Sequence, residues 1–481
     1  MEDFIAANLV KNGKATSLEL QDHFMKTRQS IEERIAVGKK LRKKTPRIRL
    51  GDYKASVNRA DPVSILEKQA ETRLPDLVPI RYARMLDSPF AFLRGAASIM
   101  AADLGAGFHP AGIITQLCGD MHVANFGVFA SAERNLVFGI NDFDETIPGP
   151  FEWDLKRLTT SIVAAGRFLG ANEVLCEEAV VAAVRSYRKR MHEYAQMGYL
   201  DLWYATINEK DILNAVSGTA TKGALKMMEK ARRRTNMQVL DKLTDLVDEK
   251  YRIRLDAPFI VREKHDVAGR PLKEVVHLFF ESYFKTLSDE RKALLRRYHV
   301  TDMVRKVVGV GSVGTRCWVI FLTGNHNGDP LFLQIKQAEH SVLEPYISKS
   351  IYTSQGHRIV IGQRLIQAAP DICLGWLELN GMHFYVRQLR DMKGGVEFDP
   401  ETTKVENLGQ YSAVCGWALA LAHAKAGDAA VLSGYVGRKS EELDEAMVRY
   451  GFAYADQTEK DYDALKAAAK KGRILVAGEA E

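Results

Sequence analysis

The chain has 481 residues, 46% hydrophobic and 27% charged, with a formal net charge of +6. That length supports two or three domains with cores of their own, and so small a charge excess admits an anionic ligand without calling for nucleic acid. Five cysteines, at 118, 176, 317, 373 and 415, with no Cys-x-x-Cys pair, indicate neither a disulfide framework nor a thiolate zinc site.

No stretch nears the ~18 apolar residues of a membrane span, and residues 1–26 carry no signal-peptide pattern. With the scattered cysteines this predicts a cytoplasmic protein.

Residues 1–56 read as a polar segment. Its basic run (Lys39, Lys40, Arg42, Lys43, Lys44, Arg47, Arg49) is either a solvated tail or a contact for an anionic surface. Asp61-Pro62 then signals a helix start, and Pro75 and Pro79 break that helix. Residues 90–104 predict a buried helix. Arg94 inside it is either a structural salt-bridge partner or a phosphate contact from below the loop that comes next.

Residues 112–117 read as a strand leading into Gly119-Asp120-Met121-His122-Val123-Ala124-Asn125, which sets an Asp and an Asn five residues apart. Residues 125–130 and 135–140 read as arms of a hairpin that returns Asn141-Asp142-Phe143-Asp144-Glu145 to the side of Asp120 and Asn125. The next element is a helix over 155–169, with Asp154 as its N-cap in the plain reading. Helices dominate 173–297.

At residue 305 the pattern changes to a strand, a turn holding Gly309, Gly311, Ser312 and Gly314, and a second strand through Phe321. Because strand-forming residues leave this turn, it is not the strand-turn-helix of a dinucleotide-binding unit. Residues 331–335, ending in Lys336, give a third strand, and 358–362 and 383–386 two more, so an antiparallel sheet is expected. A helix near 341, closed by Gly356, would carry Glu344, with Glu339 just before it. Helices return over 406–424 and 446–469.

The Gly119-to-Asn125 stretch with an Asp-led turn after it resembles small-molecule kinases of the aminoglycoside and choline kinase type, and a strand-turn-strand with a lysine on the next strand is the kinase arrangement. The resemblance implies an α+β, protein-kinase-like two-lobed fold. The loop precedes the glycine turn by about 190 residues, the reverse of kinase order, which implies circular permutation. A helical catalytic part (57–298) comes first, then a β-rich nucleotide part (299–391), and C-terminal helices (392–481) complete the helical lobe. Cys118 to Gly127, Asn141 to Glu145, Phe90 to Gly95, Cys415-Gly416 and His423 to Asp428 also resemble an uncharacterised bacterial family, domain of unknown function 2252, over about residues 57–470.

On the kinase resemblance the cofactors are ATP and Mg²⁺. Asp120 would accept or orient a substrate hydroxyl proton. Asn125 and Asp142 would hold Mg²⁺, and Asp144 would hold a second ion or cap the turn. Gly309, Gly311, Ser312 and Gly314 would close over the phosphates, Lys336 would contact them, Glu344 (or Glu339) would orient Lys336, and Gln388 and Leu389 would open a hinge. Asp154 would brace the loop, and His122 would hydrogen-bond within it. Arg387, Arg390 and Lys393 would meet an anionic substrate or solvate the junction. The expected activity is Mg-ATP-dependent phosphate transfer to a hydroxyl of a small molecule, with no membrane or nucleic-acid partner. The rivals are a non-catalytic pseudokinase, a nucleotidyl transferase, and a metal-dependent phosphoesterase built from Gly119–His122 and Gly324–Asn327.

Overall fold

The computed structural model describes residues 25 and 27–478 apart from 108–109, 264–268, 308, 310, 368, 390–391 and 440. Arg390 and Asp391 of the expected hinge therefore lie outside the described residues. The architecture is α+β, with packed helices and antiparallel sheets. The principal helices are α1 (Ile31–Lys44), α2 (Pro89–Gly95), α3 (Glu152–Phe168), α4 (Glu173–Tyr194), α5 (Gln355–Ile366), α6 (Leu408–Ala426), α7 (Ala429–Val436) and α8 (Glu442–Lys470).

The largest core gathers α3, α4, α6 and α7. Leu155, Leu158 and Ile162 meet Val180, Val184 and Tyr187, and Leu419, Leu432 and Tyr435 close the same cluster. All are fully buried, so this region carries most of the apolar burial that drives folding. Beside it lie the two-stranded pair β1 (Ile114–Leu117) with β4 (Ile147–Pro150), and the hairpin β2 (Phe126–Ala130) with β3 (Leu136–Ile140). A short β5 (Ile207–Asn208) extends the hairpin.

After the hairpin β6 (Thr244–Val247) and β7 (Lys250–Ile253) comes a six-stranded antiparallel sheet. It uses β8 (Ile260–Val261), β9 (His299–Lys306), β10 (Cys317–Thr323), β11 (Pro330–Ala338), β12 (Gly375–Leu379) and β13 (Met382–Gln388), in the spatial order β12-β13-β11-β10-β9-β8. Its middle strands are buried on both faces and so read as continuous apolar runs rather than alternating ones. Ile320, Leu333 and Ile335 pack on Phe279 and Tyr283 on one face, and Val319, Phe321 and Phe332 pack on Val239 and Leu240 on the other.

Several expectations are corrected. Residues 358–362 are not a strand but the middle of α5. Ile359, Val360 and Ile361 favour a strand locally, yet Ser354 caps a helix here by accepting from the His357 N–H at 3.4 Å. Gly356 does not end a helix. It lies inside one, where a Cβ would stand 2.1 Å from the Phe384 carbonyl oxygen, so its absence lets α5 press on β13. Second, residues 342–346 are turn rather than helix.

Third, the N-terminal basic run is not a loose tail. Ser30 and Glu33 form a capping box for α1, which packs on α7. Arg47 is buried and donates to Glu442 and to the Val436 carbonyl. Lys39, Lys40, Lys43 and Lys44 stay exposed on the outer face. The expected helix over 90–104 also divides at Ala96, into α2 and the helix Ala97–Gly107. Among the described residues no helix is long and apolar enough to cross a membrane.

Candidate active site

Strand β1 delivers the loop Cys118–Asn125, and α3 holds it. Gly119 has φ +88°, and a Cβ there would lie 2.3 Å from the Glu145 carbonyl oxygen, so both conformation and space require glycine. Asp154, 1% exposed, accepts the Cys118 N–H at 2.7 Å and the Gly119 N–H at 2.9 Å. Its outer oxygen also meets His423 Nε2 at 3.3 Å, and His423 Nδ1 lies 2.9 Å from the Tyr187 hydroxyl. Asp154 therefore braces the loop from α3. The N-cap reading is dropped, because the helix already starts at Glu152.

Three residues further along α3, Arg157 donates through Nε (2.9 Å) and Nη2 (2.7 Å) to Asp120 Oδ1 and also bonds the Leu93 carbonyl at 2.6 Å. This leaves Asp120 Oδ2 turned elsewhere, 3.8 Å from His122 Nε2. Asn125 Nδ2 donates to the carbonyls of both Asp120 (3.3 Å) and Asp142 (3.2 Å), stapling the loop to the next segment. The hairpin makes this meeting possible: Phe126 pairs with Ile140, and the Asn141 N–H reaches the Asn125 carbonyl at 3.0 Å.

Lys336 meets these groups from the middle of the sheet, where it pairs in register with Cys317 and Tyr385. Its ammonium bonds Asp144 Oδ2 and lies 3.7 Å from Asp142 Oδ2. Tyr385 donates to Asp144 Oδ1 at 2.9 Å, and Ser312 of the glycine turn to Asp144 Oδ2 at 3.3 Å. Burial pushes the Asp142 carboxyl up, but Lys336 and Arg387 outweigh it and hold it below its ordinary value. Burial likewise lowers Lys336, and Asp142 and Asp144 more than reverse this. Asp142 and Lys336 thus favour each other's charged forms.

The glycine turn spans the loop from β9 to β10. Gly309 and Gly314 take φ +69° and +93°, and the Gly314 carbonyl accepts the Leu74 N–H at 2.8 Å. Arg84 and Arg73 donate to the Gly309 and Val313 carbonyls. A Cβ on Gly311 would lie 3.2 Å from the Arg94 carbonyl oxygen, so the turn rests on α2.

Two of the expected contacts are not made. Glu344 does not reach Lys336. It sits on an irregular turn, where His340 Nδ1 lies 2.9 Å from its Oε2, and Glu339 accepts from Gln337 instead. The carboxylates at Lys336 are Asp142 and Asp144. The hinge residues Gln388 and Leu389 are also engaged: the Gln388 N–H donates to Asp371, and the Leu389 N–H to the Phe332 carbonyl at 2.9 Å. Neither donor is free for a ligand.

Sequence reasoning also missed two arginines. Arg358, 1% exposed on α5, donates to the carbonyls of Asp144 (2.9 Å), Thr146 (2.6 Å) and Glu339 (2.8 Å), tying the Asp142–Glu145 turn to the end of β11. No local pattern announces it. Arg157 does carry a signal, since it lies one helical turn after Asp154 and so on the same face. Arg387 bonds Gln334 (2.9 Å) and the Asn141 carbonyl (3.4 Å), and burial together with Arg387 pushes the nearby Lys393 amine down to about 7.

His122 is 9% exposed, and burial pushes its imidazole down to about 4, against the pull of Asp120. A folded-state value below the unfolded one means that the neutral ring stabilises the fold above about pH 6.5, and that this contribution is lost as pH falls toward 4. Relative to His122→Gln, the wild type should lose roughly 3 kcal/mol between pH 7 and 4, at ~1.4 kcal/mol per unit. Urea denaturation at both pH values measures this; parallel losses in the two proteins would refute it.

No curated protein and no solved structure matches the chain. One family profile does, across residues 73–468, which takes in the loop, the glycine turn and Lys336. The chain therefore belongs to the family described as "Uncharacterized protein conserved in bacteria (DUF2252)".

Proposed function

We propose that the protein is a Mg·ATP-dependent phosphotransferase acting on a hydroxyl of a small molecule, on a kinase-like fold in circularly permuted order. The observation that carries this is the meeting of Lys336 with Asp142 and Asp144, which come from a segment about 190 residues earlier, beside Asp120 and Asn125. The sheet is in keeping with it: a glycine turn joins β9 to β10, the lysine stands on β11, and α5 falls between β11 and β12.

In this reading the acceptor oxygen bonds to the γ-phosphorus as the bond from that phosphorus to the β–γ bridging oxygen breaks. ADP leaves with the electron pair, and the hydroxyl proton passes to Asp120 Oδ2, the oxygen not held by Arg157. Among the described residues no three His, Cys, Asp or Glu side chains converge as a metal-ligand set. Asp142 and Asn125, with Asp144 as a further donor, still suit Mg²⁺, which keeps several waters and takes one or two carboxylates. Asn125 commits its Nδ2 to carbonyls, leaving Oδ1 as an acceptor. Bound there, Mg²⁺ would neutralise charge on the phosphate oxygens.

Two departures set the site apart from the kinase pattern: α5 offers no carboxylate to Lys336, and the hinge N–H groups that would meet the adenine are engaged. The phosphoesterase reading is disfavoured by distance. The turn after Thr323 lies at the far end of β10–β11 from the Cys317–Lys336 pair, about 20 Å away at ~3.4 Å per residue.

Mg·ATP is expected to raise the thermal midpoint of the wild type, as about 2.7 kcal/mol of stabilisation at a hundredfold excess over Kd requires. Asp142→Asn and Lys336→Ala should lose most of that increment. An equal increment in both variants would overturn the proposal. Mass spectrometry of incubated acceptors then separates gain of phosphate from gain of a nucleotide monophosphate, and the latter would favour the nucleotidyl-transferase reading. ATP binding without either product would favour the pseudokinase.

A further inference from the structure

We infer that the acceptor is an anionic alcohol, carrying a carboxylate or phosphate close to the reacting hydroxyl, and that Arg94 receives that charge beside Asp120. This rests on the phosphotransferase reading and adds the substrate class.

Arg94 projects from α2, within electrostatic reach of both Asp120 and His122. The salt bridge that would make it structural is absent: among the described residues its guanidinium has no ion-pair or hydrogen-bond partner, and its Nε is buried without one. The guanidinium carbon lies over the Phe90 ring, 5.9 Å from its centroid. His122, whose Nε2 lies 3.8 Å from Asp120 Oδ2, has its Nδ1 buried and unpartnered as well. An unsatisfied buried polar atom is costly to the fold. Two of them flanking one carboxylate point to a place for a ligand's polar atoms.

The charge balance gives the sign of that ligand. The carboxylates at the site already have partners: Asp120 Oδ1 accepts from Arg157, Asp142 and Asp144 face Lys336, and Glu145 accepts the Val342 N–H at 2.7 Å. Among the described residues Arg94 makes no ion pair, and the carboxylate within its electrostatic reach, Asp120, is already bonded to Arg157. An acceptor bearing an ammonium group would face it with no carboxylate to spare, whereas a planar carboxylate or a phosphate matches a guanidinium fork. The glycine turn touches α2 at the Arg94 carbonyl, so the subsites proposed for the nucleotide's phosphates and for the acceptor's anion would be neighbours.

The same guanidinium chemistry would accept the terminal phosphate of the nucleotide, and the test separates the two sources. Calorimetry is done on protein saturated with Mg·ADP, using D-glycerate and inorganic phosphate as anionic probes and choline as the cationic one. At least one anion should bind the wild type, and choline should not. Arg94→Gln should weaken the anion at least tenfold, with Arg94→Lys intermediate, while affinity for the Mg²⁺ complex of a non-hydrolysable ATP analogue stays within twofold. The inference is overturned by anion affinity unchanged in Arg94→Gln, by binding of choline in place of the anions, by binding of neither anion, or by a parallel loss of the ATP analogue. Failure of the wild type to bind Mg·ADP at all would instead overturn the phosphotransferase reading.

Discussion

Asp120→Asn is expected to lower turnover by about 10²–10⁴-fold, the usual contribution of a positioned base, while Mg·ATP affinity stays within about twofold. The substitution keeps the geometry. Oδ1 of the asparagine can still accept from Arg157, so the amide nitrogen takes the place of Oδ2 and presents a donor where a proton should be received. The loop itself does not depend on this side chain, since its backbone hangs from Asp154. Single-turnover kinetics in the presence of saturating Mg·ATP would read the chemical step directly. An unchanged rate would remove Asp120 from the mechanism, and a matching fall in nucleotide affinity would make it a metal or phosphate contact instead.

Asp154→Ala should cost about 3–5 kcal/mol of stability and abolish activity, although Asp154 touches no substrate in the proposed reaction. The side chain is a buried carboxylate that satisfies two consecutive backbone N–H groups and meets His423. Hydrogen bonds to a charged group contribute about 1.5–3 kcal/mol each, and alanine would leave both N–H groups buried and unpaired. Asp154→Asn should recover only part of the loss, because one end of its amide is a donor facing a donor. Urea denaturation monitored by both tryptophan fluorescence and circular dichroism would report the change. A loss under about 1 kcal/mol for the alanine variant would show that the loop holds itself.

The two substitutions separate chemistry from support. Asp120→Asn keeps its hydrogen bonds to Arg157 but loses the ion pair, so it should move the denaturation midpoint less than Asp154→Ala does while still removing most turnover; Asp154→Ala should move both strongly. Arg157 stands between these cases, because one guanidinium orients Asp120 and also anchors the Leu93 carbonyl of α2.

Much of this arrangement was legible from local spacing. The five-residue interval from Asp120 to Asn125, the hairpin after it, and the helix carrying Asp154 are short-range features set by turn chemistry and hydrophobic period. So was the glycine turn between two strands, with Lys336 on the third. What local reasoning could not reach were choices made by distant partners. Residues 358–362 favour a strand by their β-branched side chains, yet packing against β13 and the Asp142–Thr146 turn makes them a helix. Glu344 has a helical setting by pattern, but the chain there turns to seat Ser341 and Val342 on Glu145, and so Lys336 takes its counter-charges from a segment far back in the sequence. The physical reason is range. Period and turn chemistry act over a few residues, whereas a buried charge settles on whichever opposite charge the completed fold brings within a few ångströms.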